Sequence, residues 1–234
     1  MNDNYTKWLE SEKKWIDEIE RKAKRDRNLY SPLIVIVCVV FFGAIGLFAS
    51  GSIDINGMLH NMLFGFVFGI VCVLGTWLLM ISYYPAKRYM RSIKEQIEDV
   101  LSPEEREEFA SQMLGAEGEV KDISWTTGKW YDGITKWRVQ ITKDYAFQAC
   151  GRGGVQMVQF RKVSDIAVDE RENTVVSWGG GIKIRMTTKI YLMLFYYQKL
   201  ANGEKGKSDK EFMFERREIR EEVSHYLHEM KIGE

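Results

Sequence analysis

The chain has 234 residues, balances 33 lysines and arginines against 33 aspartates and glutamates, and has a mean hydropathy of −0.27. Zero net charge excludes a protein held to nucleic acid by a general basic field, and three cysteines, an odd number, give no disulfide framework. The average hydropathy conceals two long uncharged runs joined by a short loop, so it does not describe an ordinary soluble domain.

Residues 1–20 hold six acids and three bases, whereas residues 21–27 hold five bases and one acid. Trp8, Leu9, Trp15, Ile16 and Ile19 recur at helix-compatible spacing, which predicts a charged amphipathic helix over residues 1–30. Two roles fit such an arm: an interfacial or partner-binding helix, or a solvated helix that only sets topology. Its basic end adjoins the first uncharged run, where anionic headgroups attract each lysine or arginine by about 1 kcal/mol. Ser31 and Pro32 have the form of an N-cap followed by a first helical residue, which predicts separate or kinked helices for arm and run.

The first run, residues 31–50, reads SPLIVIVCVVFFGAIGLFAS. At about 1.5 Å per residue it spans roughly the 30 Å of a hydrocarbon core. The second, residues 58–84, is longer and equally uncharged with His60, near its edge, neutral. Helices buried in soluble proteins are rarely apolar on every side over such lengths, so a transmembrane hairpin is expected over residues 31–84. An apolar core that begins thirty residues from Met1 predicts a retained span rather than a cleaved signal.

Arg21, Lys22, Lys24, Arg25 and Arg27 precede the first span, and Lys87, Arg88, Arg91 and Lys94 follow the second, whereas the loop over residues 51–57 carries only Asp54. The positive-inside rule then puts both termini in the cytoplasm. Tyr30, Trp77, Tyr83 and Tyr84 sit where an interfacial aromatic belt would. Gly65 and Gly69 form G-x-x-x-G, and Gly43, Gly46 and Ser50 offer small residues on the first span. This predicts close helix packing, within the hairpin or in a homodimer. Spans without internal charges disfavour a transporter or channel.

Beyond the hairpin, Ala86, Met90, Ile93, Ile97 and Leu101 mark an amphipathic helix. Ser102-Pro103-Glu104-Glu105 is a capping-box pattern opening a second helix that should stop at Gly115. From residue 119 the period changes to two. Strands are expected at 120–125, 137–142, 145–150, 155–160, 164–168, 174–178, 182–186, 189–197 and 211–214. Lys143-Asp144 and residues 151–154 should turn hairpins, and residues 201–210 read as a polar loop. The strand at 189–197, apolar on both faces, should be the most buried. A closing helix over 216–230 carries the stripe Ile219, Val223, Tyr226, Leu227 and Met230, suited to cover an open end of a curled sheet.

Ile141-Thr142-Lys143-Asp144-Tyr145 leading into a glycine-containing hairpin, then Val163-Ser164-Asp165-Ile166-Ala167-Val168, a long apolar strand and a terminal helix, resemble bacterial membrane-anchored pleckstrin-homology-like domains over residues 115–234. The resemblance implies paired transmembrane helices in a bacterial inner membrane and a cytoplasmic β-barrel or sandwich capped by the terminal helix. It implies a fold and no reaction. Eukaryotic relatives bind phosphoinositides through basic residues of the first hairpin; here Lys129, Lys136 and Arg138 are too scattered to carry that activity over.

Signatures of chemistry are sparse. Glu222, His225 and His228 give one E-x-x-H spacing where a di-iron bundle needs two. Cys150 has no histidine near it in sequence and reads as a small core residue. Gly179-Gly180-Gly181 lacks the lysine and hydroxyl of a phosphate loop. The segment WTTGKWYDGITKW offers Trp125, Lys129, Trp130, Tyr131, Lys136 and Trp137 for contact with a membrane surface, or tryptophans for the barrel core.

The expectation is therefore an α+β membrane protein with an arm (1–30), a two-helix transmembrane hairpin (31–84, spans 31–50 and 58–84), linker helices (85–114) and a cytoplasmic pleckstrin-homology-like β domain (115–234). Binding or scaffolding is expected, without cofactor or metal. Its partners would be the lipid bilayer and a protein or a second copy, not nucleic acid. The alternative is a membrane-located enzyme whose site is assembled from residues distant in sequence.

Overall fold

The computed structural model describes residues 3–48, 55–81, 85–116, 118–126, 136–179, 182–198, 207–230 and 232. The arm and the first uncharged run form one helix, α1 (Asn4–Phe48), with Pro32 inside it. Of the separate or kinked helices expected at Ser31-Pro32, the separation is overturned. Proline leaves the Asn28 carbonyl without its N–H partner, and side-chain contacts around the preceding turn hold α1 against α2 there. Ser31 Oγ donates to the Arg27 carbonyl at 2.8 Å and accepts from the Trp77 indole at 2.9 Å, while the Arg27 guanidinium lies 4.4 Å from the Trp77 ring centre. Trp77 belongs to α2 (Ile55–Ile81), the second uncharged run, which packs along α1.

The chain continues with α3 (Pro85–Ile93), a π-helical turn (Lys94–Glu98) and α4 (Pro103–Met113). The expected capping box closes as predicted: Glu105 N–H donates to Ser102 Oγ at 3.3 Å and Ser102 N–H to the Glu105 carboxylate at 2.8 Å. Gly115, after the helix, takes φ +73°, the left-handed conformation that glycine adopts without strain.

Seven strands follow among the described residues. Four form one antiparallel sheet in sequence order: β1 (Lys121–Thr126), β2 (Lys136–Ile141), β3 (Tyr145–Cys150) and β4 (Val155–Gln159). Three form the other: β5 (Asp165–Gly179), β6 (Ile182–Tyr196) and β7 (Lys210–Phe214). The four expected strands between 164 and 197 are thus two long ones, paired in register from Asp165↔Tyr196 to Gly179↔Ile182. The charges Asp169-Glu170-Arg171-Glu172, which lie between two of the expected strands, are held within β5. Arg171 pairs with Glu211 of β7 at 3.2 Å, and Glu170 lies 3.8 Å from Arg220 of α5 (Arg217–Glu229).

Where a barrel or a sandwich is expected there are two sheets, with no backbone strand pairing between them among the described residues. A side chain bridges them instead. Gln148 of β3 accepts from Met213 N–H at 3.0 Å and donates to Met213 C=O at 2.9 Å, occupying part of the β7 edge as a strand would.

The first sheet separates two cores. On one face Tyr145, Phe147, Ala149, Val155 and Met157 pack with Trp8, Ile16 and Ile19 of α1, Tyr89 and Ile93 of α3, and Phe109 of α4. On the other, Val139, Ile141, Ala146 and Val158 meet Met193, Phe195, Phe212 and Phe214 of the second sheet and Val223 and Leu227 of α5. β6 is buried over residues 192–196, with Leu192, Leu194 and Tyr196 forming a third small cluster, but β3, buried at every position, is the more enclosed strand.

Candidate functional site

The arm is not a solvated helix. Trp8, Ile16 and Ile19 are at most 4% exposed, and the Trp8 indole stands edge-on to Phe109 and Phe147 with ring centres 5.0 and 5.5 Å apart. The same helix, one half further on, presents Ile36, Val37, Val40 and Phe41 at 57–63% exposure. Leu59, Leu63, Phe64, Val67 and Val71 of α2 are exposed to a similar degree. α1 and α2 are therefore two helices long and apolar enough to cross a membrane, and α1 is also a core element of the folded domain.

Where α1 meets that domain, three polar side chains are enclosed. Glu12 of α1, Tyr89 of α3 and Arg138 of β2 are all under 10% exposed. The Tyr89 hydroxyl and Arg138 Nη2 both donate to Glu12 Oε2, and Arg138 Nη2 lies 3.3 Å from the Tyr89 oxygen. Trp15 completes the group, its ring centre 4.2 Å from the Arg138 guanidinium carbon, a cation–π distance. Burial holds the Glu12 carboxyl above its ordinary range, against the opposing pull of Arg138 and of its hydrogen bonds. Burial and then the Glu12 charge push the Tyr89 hydroxyl well above its usual value. Burial also works against the Arg138 charge, yet Glu12 and Tyr89 hold that charge in place.

Chemically this arrangement is a clasp. It joins three elements distant in sequence, and its geometry selects one register of α1 against α3 and β2. Arg138, counted among scattered basic residues of the first hairpin, is instead committed to an internal ion pair. Glu12 could have been found in the sequence: it interrupts the apolar stripe of Trp8, Ile16 and Ile19 at helical spacing, where an exposed acid has no place.

Gly65 and Gly69 lie on the face of α2 that meets α1. A Cβ at Gly65 would stand 2.6 Å from the Cys38 carbonyl oxygen and 3.0 Å from Phe42 Cβ, and one at Gly69 would stand 2.9 Å from Val35 Cα. Gly43 and Gly46 of α1 are equally close to α2, through Met62 and through Asn61 and Gly57. These four glycines thus line the contact between α1 and α2; Ser50 lies outside the described residues.

The tryptophan segment divides. Trp125 is 6% exposed and stacks on Trp137 and Phe214, with ring centres 6.1 and 5.6 Å apart, so it fills the second core. Trp137 is half-buried against that core and Lys136 is half-exposed. Lys129, Trp130 and Tyr131 lie outside the described residues. Cys150 is buried, His225 and His228 are exposed, and His225 Nδ1 is 3.5 Å from Glu229. Among the described residues no group of three or more His, Cys, Asp or Glu is placed to hold a metal ion.

No family model, curated protein or solved structure matches the chain.

Proposed function

We propose that this protein is a membrane-anchored binding module whose cytoplasmic domain is joined rigidly, not tethered flexibly, to a two-helix transmembrane hairpin. The observation that carries the reading is α1 itself. One helix of 45 residues has its N-terminal part inside the domain core and its C-terminal part exposing large apolar side chains beside α2. Apolar surface of that extent is unfavourable in water and favourable in lipid. The basic residues at the domain ends of both helices support an orientation with both termini in the cytoplasm.

The β domain supports the binding role and the pleckstrin-homology-like reading together: a four-stranded and a three-stranded antiparallel meander, packed face to face, are followed by a helix that buries Val223 and Leu227 against them. Its polar clasp is closed and built for position, and under this reading the domain recruits a partner at the membrane.

Single cysteines test the arrangement. In a Cys38→Ser, Cys72→Ser, Cys150→Ser background, Ser52→Cys should react with a membrane-impermeant maleimide in intact cells, and Ser208→Cys only after lysis. Extraction of the chain by alkaline carbonate, or labelling of Ser208→Cys in intact cells, contradicts the reading.

A further inference from the structure

A cleft of about 350 Å³ opens between α3 and the ends of β2, β3 and β4, and its outer lining includes Arg88, Arg91, Gln96, Trp137 and Gln156. Its wall is set by close packing. Gly153, in the turn between β3 and β4, has φ +88°, and a Cβ there would fall 2.8 Å from the Pro85 carbonyl oxygen and 2.9 Å from Arg88 Cβ. The turn is thereby fitted against the first turn of α3, which begins within four residues of the end of α2.

The charge of this cleft is unbalanced. Glu95, the one acid among its lining residues, lies 3.9 Å from Arg91, whereas Arg88 has no carboxylate within ion-pair distance among the described residues. A third cation stands behind the wall: Lys210 of β7, half-buried, donates from Nζ to Gln96 Oε1 at 2.5 Å and pairs with no carboxylate among the described residues. Burial, and then the charge of Lys162, hold its ammonium below the usual lysine range, the condition of a cation that lacks a counter-ion.

We propose that this cleft binds a phosphate-bearing anion, with Arg88 and Arg91 as its direct donors and Lys210, through Gln96, as a supporting positive charge. Two guanidinium groups suit a tetrahedral oxyanion better than two ammonium groups would, because each presents a planar fork of donors. The Gln156 amide and the Trp137 indole add neutral donor capacity. The same chemistry is available from a lipid headgroup or from a soluble phosphate ester. The place of Arg88, one turn into the helix that follows α2, favours the headgroup. That preference, though not the anion site, rests on the transmembrane reading above.

Thermal unfolding of the full chain, read by near-ultraviolet circular dichroism, tests this in three settings: nanodiscs of phosphatidylcholine alone, the same discs with phosphatidylglycerol, and phosphatidylcholine discs with soluble glycerol phosphate. A ligand that binds only the folded state raises the midpoint. The expected result is a rise of several degrees with phosphatidylglycerol that is lost in Arg88→Gln/Arg91→Gln and kept in Arg216→Gln/Arg217→Gln, which removes equal charge from exposed positions outside the cleft and away from the membrane-flanking basic clusters. Gln156→Glu, which places an acid in the cleft without removing a cation, should also abolish the rise. A rise with glycerol phosphate alone assigns the site to a soluble ester and keeps the proposal. Equal loss in the two arginine pairs, or no rise in any setting, overturns it. A chain that does not enter nanodiscs contradicts the transmembrane reading instead, and glycerol phosphate added to the lipid-free chain then decides the anion site by the same criteria.

Discussion

The two cores on either side of the first sheet are built differently. The core between the two sheets is mostly apolar side chains, with the neutral Gln148 bridging the sheets and Arg220 buried at the flank beside Tyr191, whereas the core between sheet and helices encloses a carboxylate, a guanidinium and a phenol among its apolar residues. The sheet-to-sheet core needs mainly volume and pattern, because its strands are placed by their backbone ladders. The helix-to-sheet core must dock α1, a helix shared with the hairpin, onto strands more than a hundred residues away. An apolar stripe alone lets a helix slide or rotate, while a buried ion pair is satisfied at one register only.

The largest effect should come from charging the apolar core. Val223 is fully buried in α5, and Val223→Asp places a carboxylate there without a partner. The penalty is several kcal/mol against a typical domain stability of about 5–15 kcal/mol, so the β domain should lose its near-ultraviolet circular dichroism. A variant that keeps its native spectrum would show that this core is not closed by α5.

The clasp should respond differently, because its charges can be removed together but not singly. Arg138→Met leaves Glu12 buried without its cation and should destabilise by about 3–5 kcal/mol. Glu12→Leu combined with Arg138→Met removes both charges and should recover most of that loss, since buried ion pairs are often no better than apolar residues of similar size. Denaturant unfolding of the two variants and the parent measures this. A double variant as unstable as Arg138→Met would mean that the pair is a main source of stability and not a register device.

A smaller effect concerns pH. Burial raises the Glu12 carboxyl above its ordinary value of 4.5 in the folded chain, so the folded state holds that proton more tightly than the unfolded state does. Its contribution is then fully present below the ordinary value and is lost as pH rises through the raised one. Glu12→Gln keeps the shape and removes the titration. The stability of the parent relative to Glu12→Gln should fall as pH rises from about 4.5 toward neutrality. A difference that stays flat or grows contradicts the assigned direction.

These contrasts also explain what was legible beforehand. The uncharged runs, the capping box at Ser102, the turn at Lys143-Asp144 and the limits of β3 follow from local pattern, and the structure has them where pattern puts them. The continuity of β5 was not legible, because the partners that neutralise Arg171 and Glu170 come from β7 and α5. Pro32 read as a boundary because the groups that carry the helix past it include Trp77 of another helix. The clasp was hidden for the same reason. Glu12, Tyr89 and Arg138 are separated by 77 and 49 residues, and only the fold makes them neighbours.

Rigid coupling through α1 is the central claim, and a distance distribution across Pro32 tests it most directly. Spin labels at Glu18→Cys and Phe41→Cys, both exposed positions on α1, are to be introduced in a background without the native cysteines and measured by pulsed electron resonance in nanodiscs. A continuous helix separates the two backbone positions by about 34 Å, and the account predicts one narrow distribution close to that value. A broad distribution, or one centred well below it, would place a joint at Ser31-Pro32 and contradict the account.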